Sequence, residues 1–308
     1  MDLALITLEQ VVILFILILA GFAIVKTGAV KAEGKKHFSD ILLYLIVPAM
    51  VIHSYMTEFS PEILSNLMMT FGLSAAALLL GLLITIILTF KIKSKNLHIL
   101  KFACVFPNAA YMGFPLIQAL FGSEGLLYAS AFVTMFNILL WTVGYGLMSG
   151  KIHIKEVLQS IFSTPVLISV VIGLIIYLCR IPVPTVIKQP LSFIGNMNTP
   201  LSMIITGMII AESNFKKILA NRQILYIIII RMIIIPAACF GLFTLLNISG
   251  MAATVVLLLE ACPTAAITSI FAVKFNHDED FAAGAVVLTT FCSIITLPLY
   301  AMLLTMIL

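Results

Sequence analysis

Residues 106–122 read FPNAAYMGFPLIQALFG and lie inside an apolar run long enough to cross a bilayer. Pro107, Asn108, Gly113 and Pro115 fall in the middle of that run. A proline removes a backbone donor and clashes with the preceding turn, so a helix with this sequence is expected to break or kink at mid-depth. Inside hydrocarbon, broken backbone persists only where protein or a water-filled cavity satisfies the freed groups. The stretch is therefore a candidate binding site before any other residue is considered.

The rest of the chain fits that setting. Of 308 residues, 62% are hydrophobic and 10% charged, with mean hydropathy +1.20. A soluble domain is nearer about half apolar and a quarter charged, so much of this surface needs lipid as its solvent. The apolar runs are continuous and about twenty residues long, the length of a spanning helix and not of a barrel strand. The expected class is an all-α polytopic membrane protein. The formal charge of +4 sits mostly in short loops and gives no sign of a nucleic-acid partner. Cys104, Cys179, Cys239, Cys262 and Cys292 read as small buried hydrophobes, neither a disulfide framework nor a metal site. The N-terminal MDLALITLEQ has no basic cluster, so a cleaved leader is not expected. No HExxH, GxGD or Gly-x-Ser-x-Gly occurs, and the histidines have no metal spacing. An enzyme is not expected, nor any cofactor beyond a coupling H+ or Na+.

Ten apolar segments can be drawn: residues 7–25, 38–56, 64–90, 97–121, 125–148, 161–178, 191–211, 218–246, 251–273 and 281–307. Alternate loops differ sharply in charge. One set carries fourteen basic residues: Lys26, Lys31, Lys35, Lys36, Lys91, Lys93, Lys95, Lys101, Lys151, Lys155, Lys216, Lys217, Arg222 and Lys274. The other set carries two, Arg180 and Lys188, which leaves Arg231 inside the eighth segment. The positive-inside rule then places the first set in the cytoplasm and both termini outside.

An internal repeat is also visible. Pro48 in LIVPAMVIHSYM has a counterpart 152 residues later, Pro200 in MNTPLSMIITGM. Pro107 in FPNAA has one 156 residues later, Pro263 in CPTAA. Five segments is an odd number, so the second copy enters the membrane upside down, giving halves 1–150 and 151–308. Pro107 lies roughly 15 Å along the fourth helix from one face, and Pro263 roughly 18 Å along the ninth from the other. Two antiparallel helices broken near the middle of a ~30 Å core can cross there.

At these residues the sequence resembles the auxin efflux carrier family, which includes plant PIN-type auxin carriers and bacterial carriers for malate or malonate. The resemblance rests on Asn108, Gly113, Pro115, Leu116, Leu120, Phe121 and Gly122 in the fourth segment. It continues in Pro263, Ala265, residues 272–275, Asp278, Ala282, Ala283, Leu297 and Pro298 of the last two, and in Pro48 and Pro200. The short loop after Met148 points to the organic-acid branch. The resemblance implies a scaffold of helices 1, 2, 6 and 7 that pairs into a homodimer. It implies a transport domain of helices 3–5 and 8–10 whose crossing broken helices 4 and 9 hold the substrate.

A half-helix beginning at Pro107 or Pro263 would present free N–H groups and a positive dipole end to the break, a site for a carboxylate. The candidate substrate-binding residues are Pro107, Asn108, Ala109, Gly113, Pro263, Thr264, Ala265 and Asn198. Asn108 has an alternative as a plain helix cap. Glu260 lies one turn from Pro263, where a buried carboxylate costs on the order of 2.5–3.5 kcal/mol and needs a partner, water or a proton. Arg231, roughly 14 Å inward from Arg222, is its candidate partner. The pair is either a coupling element or a static bridge, and Arg231 is alternatively a contact for an anionic substrate. Gln118, Asn137 and Asn196 are expected to bond between helices, His53 to be structural, and residues 277–280 to form a charged turn that caps the last helix.

The expected function is secondary transport of a small organic anion across the cell (inner) membrane by alternating access. A sodium-coupled carrier, an exporter of an auxin-like weak acid and a membrane sensor that binds without transporting are the alternatives.

Overall fold

The computed structural model describes residues 3–31, 34–150, 163–213, 218 and 221–304, and every regular element among them is a helix. In chain order these are α1 (Leu3–Lys26), α2 (Lys35–Ser54), α3 (Pro61–Thr89), α4 (Leu97–Val105), α5 (109–121) and α6 (123–149). Then follow α7 (Pro165–Leu178), α8 (Thr185–Asn196), α9 (Asn198–Glu212), α10 (Arg222–Leu245), α11 (Met251–Glu260), α12 (Ile267–Lys274) and α13 (Glu279–Leu304). Lys151, Lys155, Lys216 and Lys217, the expected start of the sixth segment at Ile161 and the end of the tenth at Ile307 lie outside the described residues.

Seven helical stretches among the described residues are long and apolar enough to cross a membrane, and α7 and α11 are shorter apolar helices. One of the seven, Ala109–Ser149, runs for 41 residues. At the α-helical rise it would be roughly 61 Å long, about twice a bilayer core. It does not run straight. Gly122 has φ 60° and ψ −145°, a backbone conformation that glycine reaches without a Cβ clash, and it divides α5 from α6.

Four widened π turns interrupt the helices, at Leu42–Ile46, Ala109–Gly113, Leu140–Gly144 and Ile229–Ile234. Three of them run directly into a helical turn that opens with proline at its second position: Pro48, Pro115 and Pro236. The cause is local. Proline offers no N–H and its ring crowds the carbonyl four residues back, and a turn closed over five residues absorbs both defects. Pro48 therefore distorts α2 without ending it. Its counterpart Pro200 sits in the first turn of α9, just past a break at Met197, where a missing donor has no partner to lose.

α1 lies along α9 and also packs on α13, while α2 packs on α7 and α8; α3 packs on α4, α6 and α11, and α13 also on α10 and α12. The α1–α9 contact is backbone to backbone. A Cβ built at Gly207 would lie 2.0 Å from the Ile18 carbonyl oxygen, and one at Gly21 would lie 2.2 Å from that of Ile204. In lipid, where no hydrophobic force drives helices together, such close approach lets van der Waals contact hold the pair.

The loops collect at two ends. At one, Ser94 donates to Gln223 at 2.9 Å, Lys95 lies 3.8 Å from Asp278, Lys35 pairs with Glu212, and a His277 ring nitrogen meets the Met148 carbonyl at 2.8 Å. At the other, the Tyr177 hydroxyl donates to the Ser60 carbonyl at 3.0 Å and Lys188 donates to that of Met56 at 3.0 Å. The lysine-rich loops thus meet one another and the lysine-poor loops meet one another. Gly207→Leu is expected to force α1 from α9 at a cost of about 1–3 kcal/mol. Thermal unfolding of the purified protein in detergent measures it, and an unchanged midpoint would show that the helices do not meet here.

Candidate functional site

The two interrupted helices meet at their breaks. α4 ends at Val105, and Phe106 is extended, with φ −99° and ψ 110°. Pro107 and Thr264 form an antiparallel bridge, in which the Asn108 N–H donates to the Pro263 carbonyl at 2.7 Å and the Ala265 N–H donates to that of Phe106 at 2.9 Å. Both prolines lie in the extended pieces. The half-helices beyond them begin at Ala109 and Ile267, so neither proline is the first helical residue that the sequence suggests. The bridge needs extended backbone at both points, and proline's fixed φ suits extended backbone as well as a helix start.

Four helix ends converge here, and each leaves backbone groups without helical partners. Arg231 answers for the two C-terminal ends. It sits in the π turn Ile229–Ile234 of α10 and is wholly buried. Its Nη1 donates to the carbonyls of Cys104 and Val105, both at 3.2 Å, and its Nε to that of Cys262 at 3.2 Å. Its Nη2 donates to the Glu260 carbonyl. One guanidinium thus binds the last carbonyls of α4 and of α11, placing a full positive charge where both dipoles are negative. The Glu260 side chain completes the set, with Oε1 2.9 Å from Nη1. Its Oε2 is buried without a partner, and α3 approaches the carboxylate so closely that a Cβ at Gly81 would lie 3.4 Å from Oε1.

The other residues divide between frame and opening. Thr264 belongs to the frame: its hydroxyl donates to the Ala103 carbonyl at 3.0 Å, and its N–H donates to the Thr289 hydroxyl of α13 at 3.1 Å. Gly113 lets α5 approach α11, since a Cβ there would lie 2.4 Å from Leu259 Cδ2. Ala109 and Ala265 are buried small residues on either side of the bridge. Asn108 does not cap α5 through its side chain; its backbone carbonyl accepts from Met112 and Gly113, each at 3.1 Å. Its amide makes no hydrogen bond among the described residues. Asn198 opens α9, which packs on the Ala109–Gly113 turn, and both polar atoms of its side chain are buried without a partner. A buried amide with neither group satisfied costs free energy that a bound molecule or water would recover.

The remaining polar residues of the sequence reading have structural uses. Gln118 donates to Asn196 at 3.2 Å, Asn137 bonds the Val133 carbonyl of its own helix at 2.8 Å, and Asp278 accepts from the Phe281 N–H at 3.0 Å at the start of α13. Thr289 was not singled out by sequence. A threonine in an apolar helix ordinarily bonds the carbonyl a turn back, and Thr289 also does so, to Ala285 at 2.7 Å. Its second role exists only because α13 passes the crossing.

The resulting electrostatics are lopsided. Arg231 covers the negative ends of α4 and α11, while α5 and α12 carry no acidic residue in their first turns to cover their positive ends. Two helix starts with neither a side-chain cap nor an acidic residue, beside the unbonded Asn108 side chain, suit an anion.

Two comparisons place the chain among membrane transport proteins. The family model described as membrane transport protein matches residues 6–157 and 150–301. An uncharacterized transporter of Methanocaldococcus jannaschii is 26% identical over 312 residues, covering 96% of this chain and 98% of that protein. An uncharacterized transporter of Methanothermobacter thermautotrophicus is 22% identical over 304 residues, with the same coverage, 96% and 98%.

The Arg231 contacts set an order of stabilities. Arg231→Met strands Glu260 and four carbonyls, and is expected to cost about 3–5 kcal/mol. Arg231→Met with Glu260→Met removes the stranded charge and should be milder, and Glu260→Gln milder still because the carbonyl bonds survive. Thermal unfolding midpoints in detergent rank the three, and a single Arg231→Met no worse than Glu260→Gln would contradict the role.

Proposed function

The chain belongs to the membrane transport protein family, the auxin efflux carriers, and from that premise we propose that it is a secondary active carrier of a small organic anion of the malate or malonate class. The observation that carries this is the uncovered pair of helix starts at the crossing, beside the free amide of Asn108. A carboxylate held there meets backbone N–H groups and two positive dipole ends, with Pro107, Ala109, Gly113, Pro263 and Ala265 shaping the walls and Asn198 facing from α9. Arg231 holds the frame from behind and is not the anion's ligand, because its donors already have partners.

In this proposal the chain crosses the inner membrane ten times, as two inverted five-helix halves, 1–150 and 151–308, with both termini outside. The crossings are α1, α2, α3, α4 with α5, and α6, then α7, α8 with α9, α10, α11 with α12, and α13. The packing of α1 along α9 and of α2 on α7 and α8 supports their role as scaffold, with the α1–α13 contact as its seam with the helices that move. Val186 and Phe193, 83% and 65% exposed on α8, support a homodimer through that scaffold. The unpartnered Glu260 oxygen favours H+ as the coupling ion. Sodium remains the second reading, and Glu260→Gln separates the two: it uncouples transport from a pH gradient but leaves a sodium-driven carrier coupled.

Reconstituted in liposomes, the protein is expected to exchange a radiolabelled dicarboxylate. Asn108→Ala should lower the rate at least about tenfold, the loss of one charge-assisted hydrogen bond, without shifting the unfolding midpoint. Exchange at the parent rate would remove Asn108 from the site.

A further inference from the structure

The lysine-poor end of the bundle holds a second polar feature, distant in sequence from the crossing. The two basic residues of this end, Arg180 after α7 and Lys188 in the first turns of α8, come together in one cavity of about 280 Å³. The cavity lies between the loop after α2 and the loop after α7, lined among others by Met56, Glu58, Phe59 and Ile181. Its walls are fixed: the Tyr177 hydroxyl, near the end of α7, donates to the Ser60 carbonyl and accepts from the Ser60 N–H at 3.1 Å, tying α7 to the loop after α2. Arg180, in the left-handed region at φ 53°, lays its guanidinium 4.2 Å from the centroid of the Phe59 ring. A guanidinium held against a ring by cation–π attraction makes no hydrogen bond among the described residues, so its N–H donors can meet a planar or tetrahedral oxyanion. Lys188 donates one bond to the Met56 carbonyl and retains two further N–H donors.

Below this cavity runs an apolar track. Ile168, Val171, Ile175 and Leu178 are 46%, 57%, 52% and 49% exposed and recur every three or four residues, so they form one stripe down α7. The stripe ends beneath Arg180. We infer that this end of the protein binds a phospholipid, with the phosphodiester on Arg180 and Lys188 and an acyl chain on the α7 stripe. Three features favour that occupant over a free anion. Two cations against Glu58 leave one net positive charge, which matches a phosphodiester monoanion. Glu58 repels a second negative charge, as a dicarboxylate or a free phosphate dianion would bring, and accepts hydrogen bonds from a headgroup hydroxyl or amine. The stripe gives affinity to a lipid and none to a soluble anion.

The test is native mass spectrometry of the full chain in detergent, titrated with phosphatidylglycerol, glycerol 3-phosphate or succinate. Phosphatidylglycerol adducts are expected to survive, to weaken roughly tenfold in Arg180→Gln with Lys188→Gln, and to weaken less in Arg180→Lys, which keeps the charge without the fork. Ile175→Ser, away from both charges, should also weaken them. An unfolding midpoint equal to the parent's confirms that each variant folds. Equal adducts in the parent and the double variant would overturn the proposal. So would displacement of the lipid by millimolar glycerol 3-phosphate or succinate, or a lipid-free dimer that Ile175→Ser dissociates, since a second copy would then cover the stripe.

Discussion

Everything at the centre of this protein depends on one guanidinium. Breaking two helices in the protein interior exposes carbonyls at the ends of α4 and α11 in a wholly buried place where water does not compete to satisfy them. Arg231 reaches four of these carbonyls together, and Glu260 balances its charge. A lysine offers a point charge with three donors and lacks the planar fork that bonds several acceptors in fixed directions. The π turn around Arg231 belongs to the same solution, since the widened backbone lies on the stretch of α10 from which the side chain reaches both ends.

With the C-terminal ends covered from one side, the bridge orders the other. Asn108 and Ala265 give their N–H groups to the opposite strand, and the next amides along α5 and α12 begin new helices. The cation thus serves the helix ends before the bridge, and the uncapped helix starts follow it. The polarity of the crossing is built in before any substrate arrives. Thr264 and Thr289 hold the bridge against α4 and α13, which ties the crossing to helices on either side.

Much of this was legible in the sequence, for identifiable reasons. The prolines at 48, 107, 200 and 263 mark interruptions because proline's defect is local and independent of what surrounds it. Arg231 and Glu260 pointed to each other because an ionised side chain in lipid needs a partner. What stayed hidden was geometry set by tertiary contact. The sequence suggested helix starts at Pro107 and Pro263, but Pro107 pairs with Thr264 in an isolated bridge, an outcome decided by the other break and not by either alone. Thr264 looked like a ligand, yet its hydroxyl reaches the Ala103 carbonyl 161 residues away. The reach of Arg231 to four carbonyls was equally invisible, since main-chain acceptors carry no sequence signature.

The bridge itself is made of main chain. Its two hydrogen bonds run between amides and carbonyls that every residue except proline can supply, and of the two prolines only Pro263 takes part, through its carbonyl. A frame of this kind is indifferent to most side chains hung on it. Substitutions at the rim can therefore change side chains there without renegotiating the architecture, so a transport protein built this way can drift from one cargo to another through small steps while the crossing endures.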